Sequence, residues 1–182
     1  MKEKELNKKQ VYDGKLIRVW TAEVELEDGT HATREYVERK FGSVTGVLLD
    51  NDQNVYLVRE FRSAIGEYNV NFPAGRYNLE KETPDEAIVR ELREEVGLRP
   101  RQVQGLFSLK GGGTYLWPSF YFYCTDPIPD PLEQDYDERI EVIKKPFKAY
   151  LREVLRGARL RSGDYQALVM VALRLGLLEV KE

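Results

Sequence analysis

Three glutamates stand close together in the segment EAIVRELREEVGL. On an α-helix, residues three and four positions apart share a face, so Glu91, Glu94 and Glu95 project to the same side. Carboxylates held so close repel one another unless positive charge lies between them. Arg90 and Arg93 could supply that charge through surface ion pairs, each worth about 0.3–0.5 kcal/mol. A bound metal ion is the other explanation, and the helix alone does not decide between the two.

The segment FPAG before this helix offers further oxygen ligands. Mg²⁺ prefers oxygen ligands and usually binds through carboxylates together with substrate phosphates. Pro73 ends a predicted strand, and Gly75 allows backbone angles that other residues avoid. A loop of this kind can turn its carbonyl groups towards a helix that holds carboxylates rigidly. The FPAG loop and the glutamate-bearing helix together therefore favour a site for a hard cation.

The helix has clear predicted limits. In the segment TPDE, Thr83 can cap the helix, a proline follows at the first helical position, and Glu86 completes a capping box. The helix is predicted to continue to about Val96 and to end at Gly97. Residues 76–82, which precede it, are predicted to form a polar loop.

Strand-forming segments lie on both sides of this helix. Two runs around Asp28-Gly29 predict a hairpin, and because neither of its faces is purely polar, we expect it to be covered on both sides or paired with another subunit. SVTGVLLD and NVYLVREFR predict a second hairpin with a buried strand, and EYNVN predicts a short strand that ends at Pro73. Downstream, VQGLFSLK, SFYFYCT and RIEVIKK are predicted strands, separated by GGGTYLWP and DPIPDPLEQDYDE.

Two predicted helices follow these strands. One covers residues 146–155, and the other, YQALVMVALRLG, is apolar nearly all round and is predicted to be buried. The sequence shows no internal repeat and no linker rich in glycine and serine. We therefore expect one α/β domain.

Composition excludes several kinds of protein. A net charge of −3 over 182 residues gives no field that favours nucleic acid or an anionic membrane. Cys124 is the only cysteine, which excludes an intrachain disulfide and a cysteine-based zinc site and predicts a buried apolar residue. His31 is the only histidine, a poor basis for serine or cysteine nucleophile chemistry. The N-terminus MKEKELNKKQ is not a secretory signal, and we expect a cytoplasmic protein.

The glutamate segment and its surroundings resemble the signature of a known family. Gly75, Glu82 and RELREEVGL are similar to the Nudix box, and every defined position from Glu82 to Leu98 matches it. Six residues separate Gly75 from Glu82, one more than usual, which a one-residue loop insertion explains. GVLLDNDQNVYLVREFR, FPAG, DERIEV and GARLRSGDYQALVMVALRLG resemble the ADP-ribose and nucleotide-sugar pyrophosphatase branch. The resemblance covers about residues 10–180.

The resemblance implies a fold and an assembly. The fold is an α/β/α sandwich of the Nudix type, with a mixed β-sheet and an N-terminal β-hairpin extension. Residues 1–40 would form N-terminal strands that dimerise with a second copy, and residues 41–182 would form the hydrolase domain. A homodimer of this kind fits the two-sided character of the first hairpin.

The resemblance also implies metal ligands and a reaction. Two or more Mg²⁺ or Mn²⁺ ions would be held by Glu91, Glu95, Glu94 and the backbone carbonyl of Ala74. Glu94 is also a candidate catalytic carboxylate, while Glu82 and Arg90 would join loop and helix by an ion pair. Bound cations withdraw charge from a diphosphate and acidify the attacking water, which yields a nucleoside monophosphate and a sugar phosphate. Glu138 best matches the carboxylate outside the box that acts as the base, with Asp137 and Glu141 as rivals and an exposed loop charge as the alternative.

Substrate-binding residues follow from the same resemblance. Arg59 and Arg62 resemble the arginines that grip the diphosphate, unless they form an exposed pair at a strand end. Several aromatic residues could stack a base, and the sequence does not choose among Trp20, Tyr36, Tyr115 and Trp117. Gly113 stands at the distance where ADP-ribose hydrolases carry a proline, and Asn71 stands where they often carry a glutamate. These departures favour a broader nucleoside diphosphate sugar specificity that includes ADP-ribose and GDP-mannose.

Two other functions compete with this one. A Nudix-like module that binds ADP-ribose without cleaving it usually lacks glutamates of the box, and none is missing here. An enzyme acting on RNA ends needs a basic surface, which the net charge does not support. We therefore expect a metal-dependent pyrophosphatase with a small-molecule substrate and with no nucleic-acid or membrane partner.

Overall fold

One β-sheet forms the centre of the molecule. The computed structural model describes residues 2–78, 80–134, 139–160 and 162–180, and in these residues ten strands and three helices are found. The strands are β1 (Lys4–Asp13), β2 (Ile17–Glu25), β3 (His31–Arg39), β4 (Gly42–Leu49), β5 (Asn54–Arg62), β6 (Glu67–Asn71), β7 (Ala74–Tyr77), β8 (Leu98–Gly112), β9 (Tyr115–Pro129) and β10 (Ile140–Pro146). The helices are α1 (Pro84–Glu95), α2 (Phe147–Leu155) and α3 (Ser162–Arg174).

The sheet is mixed and is covered by helices on both faces. Its strand order is β1-β2-β3-β9-β4-β5-β10, with β6 beside β5, β7 beside β4 and β8 beside β9. β9 runs parallel to β3 and β4, whereas the other pairs are antiparallel. α1 packs on one face through Ile88 and Leu92, and α2 and α3 pack on the other through Phe147 and Leu168. The predicted α/β/α sandwich is confirmed.

The sheet forks along one edge of β4. β9 pairs with β4 from Ser43 to Leu49 and so takes one edge of that strand. β7 pairs with its first half, up to Thr45, and β5 pairs with Leu48 and Leu49. Since a strand has only two edges, β7 and β5 share the second edge and must diverge from each other. Between these two partners, the backbone N–H of Gly46 donates to the carbonyl of Pro73 at 3.0 Å, so the segment that joins β6 to β7 also lies along this edge.

The first and last residues of α1 agree with those predicted from the sequence. The backbone N–H of Glu86 donates to the Thr83 hydroxyl at 3.3 Å, and the Thr83 N–H donates to the Glu86 carboxylate at 2.8 Å. This is the predicted capping box. Val96 is the C-cap, and Gly97 adopts a φ of +75°, in the left-handed region where glycine is favoured.

Parts of three segments predicted as loops are instead in strands, one of them being residues 126–129, the start of DPIPDPLEQDYDE and the end of β9. β7 occupies the beginning of the predicted 76–82 loop, because Arg76 and Tyr77 pair with Ser43 and Gly42 of β4. The segment GGGTYLWP does not separate two distant strands. β8 continues to Gly112 and β9 starts at Tyr115, so the two form one long hairpin. For β7, pairing with the distant strand β4 outweighs the polar loop sequence. In GGGTYLWP the glycines instead form the tight turn of the hairpin, where Gly113 has a φ of +58°.

The last helix is buried on one face only, whereas its sequence predicts burial nearly all round. α3 buries Leu168 and Val171 against the sheet, while Tyr165, Val169 and Leu173 are exposed. The exposed residues recur every four positions and form one stripe. Only one face of α3 contacts the sheet, so the opposite face stays apolar and uncovered in this chain.

The N-terminal strands extend the sheet beyond the α/β/α layers. β2 and β3 form the hairpin predicted around Gly29, and β1 pairs with β2 at the end of the sheet. Every residue of β1 is exposed. The division into two domains after residue 40 stays a prediction. β3 pairs with β9, so the N-terminal strands and the rest of the chain form one sheet. No helix within the described ranges is long and apolar enough to cross a membrane.

Cys124 lies in the middle of β9 and is fully buried, as predicted. It packs among the residues between the sheet and α1. Burial raises the pKa of its thiol to about 12.

Candidate active site

The carboxylate of Glu95 is bound to the strand that runs beside its helix. The backbone N–H of Ala74, in β7, donates to Glu95 Oε2 at 2.9 Å. Glu95 is only 4% exposed. The bond therefore fixes one predicted metal ligand, Glu95, beside the residue whose carbonyl is predicted to be another.

Glu91 lies directly against Gly75. A Cβ atom placed on Gly75 would come within 1.9 Å of Glu91 Cδ and within 2.0 and 2.1 Å of its two carboxylate oxygens. A side chain at this position would force the Glu91 carboxylate to move, so the glycine allows Glu91 to lie against β7. Glu91 itself is 7% exposed. Two carboxylates of the helix are thus nearly buried along β7.

Arg90 gathers the neighbouring carboxylates. Its guanidinium donates two hydrogen bonds to Glu82, at 3.0 and 3.1 Å, one to Glu91 at 2.9 Å and one to Glu94 at 2.8 Å. It also donates to the backbone carbonyl of Arg76 at 2.9 Å. Burial alone would lower the pKa of Arg90, but these carboxylates raise it above its ordinary value. The predicted ion pair between Glu82 and Arg90 is present.

The oxygen atoms of these glutamates are of the kind that bind a divalent cation, although each carboxylate is hydrogen-bonded to a group of the protein. Among the described residues, no three carboxylate, imidazole or thiol side chains converge where a metal ion could sit. Arg90 holds Glu91 and Glu94, while Ala74 holds Glu95. These are oxygen donors on one rigid helix, and buried carboxylates are suited to a cation that offsets their charge. Both explanations of the glutamate cluster are therefore compatible with the structure.

The two arginines predicted from β5 lie on opposite faces of the sheet. Leu57 packs with α2 and α3, and Tyr56 packs with α1. Because side chains alternate along a strand, Arg59 continues the face of Leu57 and Arg62 the face of Tyr56. The structure therefore does not bring Arg59 and Arg62 together as a pair.

The contacts of these arginines differ accordingly. Arg59 forms an ion pair with Glu141 at 2.9 Å, and its guanidinium lies 4.4 Å from the ring centre of Tyr68. Arg62 forms an ion pair with Glu60 at 2.7 Å. Glu141, a rival candidate for the catalytic base, is thus engaged with Arg59 on a neighbouring strand.

The structure adds two arginines that the sequence did not single out. The guanidinium of Arg39 lies 3.7 Å from the ring centre of Trp117. The Trp117 Nε1–H donates to Ser43 Oγ at 3.0 Å, and Ser43 is the partner of Arg76 in the sheet. Burial, together with the positive charges of Arg76 and Arg62, lowers the pKa of Arg39. We name Arg39, Arg62 and Arg76 the arginine group; an anion would relieve their mutual repulsion.

The arginine group could not be found from sequence spacing. Its members belong to β3, β5 and β7, and only in the folded sheet do the charges of Arg62 and Arg76 act on Arg39. Trp117 is the one aromatic candidate with a described contact to this group. Trp20 and Tyr36 instead contact Lys8, and Tyr115 is exposed near the turn between β8 and β9.

The strand β7 joins the acidic and basic parts of the site. Its first residue binds Glu95, its second lies against Glu91, and its third, Arg76, belongs to the arginine group and accepts a hydrogen bond from Arg90. Carboxylates suited to cations therefore lie beside guanidinium groups suited to phosphate. This arrangement can bind a metal-complexed phosphate ester.

The remaining predicted residues are placed as follows. Glu138 and Asp137 lie outside the described residues. Asn71 is buried in β6, opposite Val58 of β5. Gly113 lies between β8 and β9 with a φ of +58°.

Comparison with known proteins identifies the family. The NUDIX domain family model matches residues 40–150. The chain is 28% identical over 158 residues to an ADP-ribose pyrophosphatase of Bacillus subtilis (strain 168), covering 85% of this chain and 84% of that protein. It is 27% identical over 158 residues to the methanol dehydrogenase activator of Bacillus methanolicus, covering 79% of this chain and 84% of that protein.

A solved structure described as an ADP compounds hydrolase shares the fold. It superposes with a TM-score of 0.86 at 24% identity, covering 97% of this chain and 95% of the other. The family model spans more than half of the chain and includes the whole motif from Glu82 to Leu98. The resemblance read from the sequence is confirmed: this chain belongs to the NUDIX domain family and is a Nudix hydrolase.

Proposed function

We propose that this chain hydrolyses the diphosphate bond of nucleoside diphosphate sugars, including ADP-ribose and GDP-mannose, in the presence of Mg²⁺ or Mn²⁺. The products are a nucleoside monophosphate and a sugar phosphate. The observation that carries the proposal is the position of β7 between the buried glutamates of α1 and the arginine group. The names of the relatives, ADP-ribose pyrophosphatase among them, support the same reaction class.

The roles follow from the chemistry of each group. Two or more divalent ions would be held by Glu91, Glu95, Glu94 and the carbonyl of Ala74. When bound, such ions withdraw charge from the diphosphate and acidify a water molecule. The arginine group binds phosphate oxygens, for which the planar guanidinium fork is well matched. Glu138 accepts the proton of the attacking water, with Asp137 and Glu141 as rivals for that role, and Glu94 is a further candidate catalytic carboxylate.

Arg59 keeps its predicted role in substrate binding, but on the other face of β5. Its guanidinium stacks on Tyr68, which is exposed, so the pair can offer both charge and an aromatic ring to a ligand. Binding there would have to displace Glu141 from Arg59.

The substrate range is tested by a product-release assay. The enzyme is incubated with Mg²⁺ and, separately, with ADP-ribose, ADP-glucose, GDP-mannose, UDP-glucose, NADH or a dinucleoside polyphosphate, and an added phosphatase releases phosphate from the products. We expect turnover of several nucleotide sugars and no turnover in excess EDTA. Turnover of ADP-ribose alone would contradict the broad specificity, and activity in EDTA would contradict the metal mechanism.

Glu95→Gln tests the metal site. The change removes the charge but keeps the shape, so turnover should fall by at least about 100-fold as the Mg²⁺ requirement rises. Glu153→Gln, in the exposed ion pair between Lys145 and Glu153, is the matched control and should leave activity unchanged. Equal activity of both variants would refute Glu95 as a ligand.

Glu138→Gln tests the base. We expect turnover to fall strongly while the affinity for substrate is unchanged, since proton transfer by a positioned side chain contributes about 10²–10⁴-fold. An unaffected rate would move the base to Asp137 or Glu141. Tight binding of ADP-ribose without hydrolysis by the unmodified chain would instead favour the non-catalytic ligand-binding module.

A further inference from the structure

The guanidinium of Arg39 lies against the ring of Trp117. Arg39 Cζ is 3.7 Å from the centre of that ring, which is contact distance. Tryptophan is the aromatic side chain that attracts a cation most strongly, because of the negative charge on the face of its ring. The contact joins β3, which carries Arg39, to β9, which carries Trp117.

Trp117 is itself fixed by a chain of hydrogen bonds. Its Nε1–H donates to Ser43 Oγ at 3.0 Å, and the Ser43 hydroxyl donates to Ser119 Oγ at 2.8 Å. Ser43 and Ser119 are directly opposite each other in the pairing of β4 with β9. The bond from the edge of the indole limits its rotation, so one face of the ring is held towards Arg39.

Arg39 keeps its hydrogen-bond donors for a ligand. Among the described residues it forms no ion pair with a carboxylate, whereas Arg62 is paired with Glu60 at 2.7 Å. A guanidinium carries five N–H donors, and contact with the face of a ring satisfies its charge without a carboxylate that would occupy them. Arg39 is therefore the member of the arginine group that is held by an uncharged partner.

The neighbours of Arg39 make such a partner necessary. The positive charges of Arg62 and Arg76 act on Arg39, so like charges oppose its position in the absence of an anion. A long side chain also loses conformational entropy when it is held in one place. The attraction of the Trp117 ring offsets both effects before substrate arrives, and a group ordered in advance binds its ligand more tightly.

We propose that Trp117 is a positioning residue for the hydrolysis: its ring, oriented by Ser43, holds Arg39 where the guanidinium binds phosphate oxygens of the substrate. The role rests on the proposed function, in which the arginine group binds the diphosphate. Trp117 then contributes to the affinity for the phosphates and not to recognition of the base.

The test measures binding without hydrolysis. Isothermal titration calorimetry in Mg²⁺ uses two ligands, the α,β-methylene analogue of ADP-ribose, which resists cleavage, and methylenebisphosphonate, which has no base. We expect Trp117→Leu to weaken both by a similar factor of about 3–30, the loss of one cation–π contact. With ADP-ribose as substrate, KM should rise while kcat stays within about threefold, because uniform binding is lost.

Tyr123→Leu is the matched control. Tyr123 is also on β9, on the same face as Trp117 by alternation, and its ring lies 5.3 Å from the guanidinium of Arg174 in α3. This variant removes an aromatic ring from an arginine outside the arginine group, so both affinities should stay within about twofold of the unmodified protein. Thermal unfolding of each variant shows that it is folded.

Trp117→Phe separates the ring from its orientation. Phenylalanine keeps an aromatic face but cannot donate to Ser43, so both affinities should lie between those of the unmodified protein and Trp117→Leu. This variant gives the same comparison if leucine destabilises the fold.

A double variant tests whether Trp117 acts through Arg39. Arg39→Ala should weaken both ligands at least as much as Trp117→Leu does. Adding Trp117→Leu to Arg39→Ala should cause little further loss, because the positioned group is already gone.

Three results would overturn the proposal. They are equal affinities of Trp117→Leu and Tyr123→Leu, a loss confined to the ligand that has a base, and a full further loss in the double variant. The second result would show that Trp117 contacts the base itself. An unmodified chain that binds both ligands but hydrolyses no nucleotide sugar would refute the proposed function and leave the binding comparison valid, whereas one that binds neither ligand would refute both proposals.

Discussion

Gly75 shows how one residue of a motif can be fixed by contact. Glycine is often expected where the backbone needs a positive φ, but Gly75 is not among the positive-φ glycines of the described chain. Its Cα instead faces the Glu91 carboxylate, and a Cβ atom would overlap that group. The glycine therefore leaves room for the Glu91 carboxylate beside β7, and a larger residue would displace that carboxylate.

Gly75→Ala should disrupt the site without unfolding the protein. The added methyl group would push Glu91 away from β7, so we expect Mg²⁺-dependent turnover to fall by at least about tenfold and the Mg²⁺ requirement to rise. Gly105→Ala is the matched control, since a Cβ atom there meets nothing within 4 Å. Titration of activity with Mg²⁺ and thermal unfolding of both variants check this. Normal Mg²⁺ activation of Gly75→Ala would show that Glu91 is not a ligand.

At the scale of residues, the sequence predicts those arrangements of side chains that follow from their spacing along a single helix or strand. Glu91 and Glu95 share a face because they are four positions apart, and the structure places both beside β7. Arg39 and Arg76 could not be predicted, because their proximity depends on the order of strands in the sheet. The same reason explains why Arg59 and Arg62 appear as a pair in the sequence but lie on opposite faces.

At the scale of elements, local sequence signals predict where a helix or strand ends better than they predict which strands pair with each other. The capping residues of α1 and the turn at Gly29 act within a few residues, and both predictions are confirmed. The segment GGGTYLWP carries glycines typical of a loop, but pairing between β8 and β9 continues up to Gly112 and Tyr115. By contrast, Arg76 and Tyr77 pair with β4, a strand far away in the sequence, and no local pattern contains that pairing.

The turn between β4 and β5 is stabilised by Asp50. Its carboxylate accepts hydrogen bonds from the backbone N–H groups of Asp52 and Asn54, at 3.0 and 2.9 Å, and forms an ion pair with Lys144 of β10 at 2.7 Å. Burial alone would raise the pKa of Asp50, but Lys144 and Asn54 lower it to about 2 from an ordinary value of 3.8. The turn is thus joined to the strand beyond β5.

Asp50→Asn should therefore cost stability in a pH-dependent way. A depressed pKa stabilises the fold above the unfolded value of 3.8, and this contribution is lost as the pH falls towards 2. At pH 7 we expect a loss of about 1–2 kcal/mol in the free energy of unfolding, discounted because Lys144 is half exposed. The difference from the unmodified protein should shrink below about pH 4. Urea unfolding at pH 7 and pH 3 measures the free energy of unfolding of both proteins, and Asp52→Asn, at an exposed position, is the control. A loss of stability that is the same at both pH values would contradict the contribution of the ion pair.

At the scale of the whole molecule, β1 is a free edge with apolar side chains. Its residues Val11 and Tyr12 are 52% and 54% exposed, and Leu6 is 42% exposed. A long exposed edge strand is a surface on which another chain can pair. The motif could predict the fold class, because the family shares it, but the fork of the sheet at β4 and the exposure of β1 come only from the complete topology.

We expect the protein to be a homodimer that associates through β1 to β3. Light scattering should give twice the chain mass of 21.2 kDa. Val11→Glu should give a monomer, because it places a charge in the apolar surface of β1. Leu155→Glu, at a more exposed apolar position on α2, should stay dimeric. A monomeric unmodified protein would contradict the predicted homodimer. A dimeric Val11→Glu variant would show that the interface does not include the apolar surface of β1.

The burial of Cys124 has a practical consequence for spectroscopy. Only a thiolate reacts readily with maleimides and disulfide reagents, and a fully buried thiol with a pKa of about 12 supplies almost none at neutral pH. In its native state the chain therefore resembles a cysteine-free background for labelling. A cysteine introduced where β7 and β5 share the edge of β4 would then carry a single fluorophore or spin label, and its signal could report on this part of the sheet during turnover.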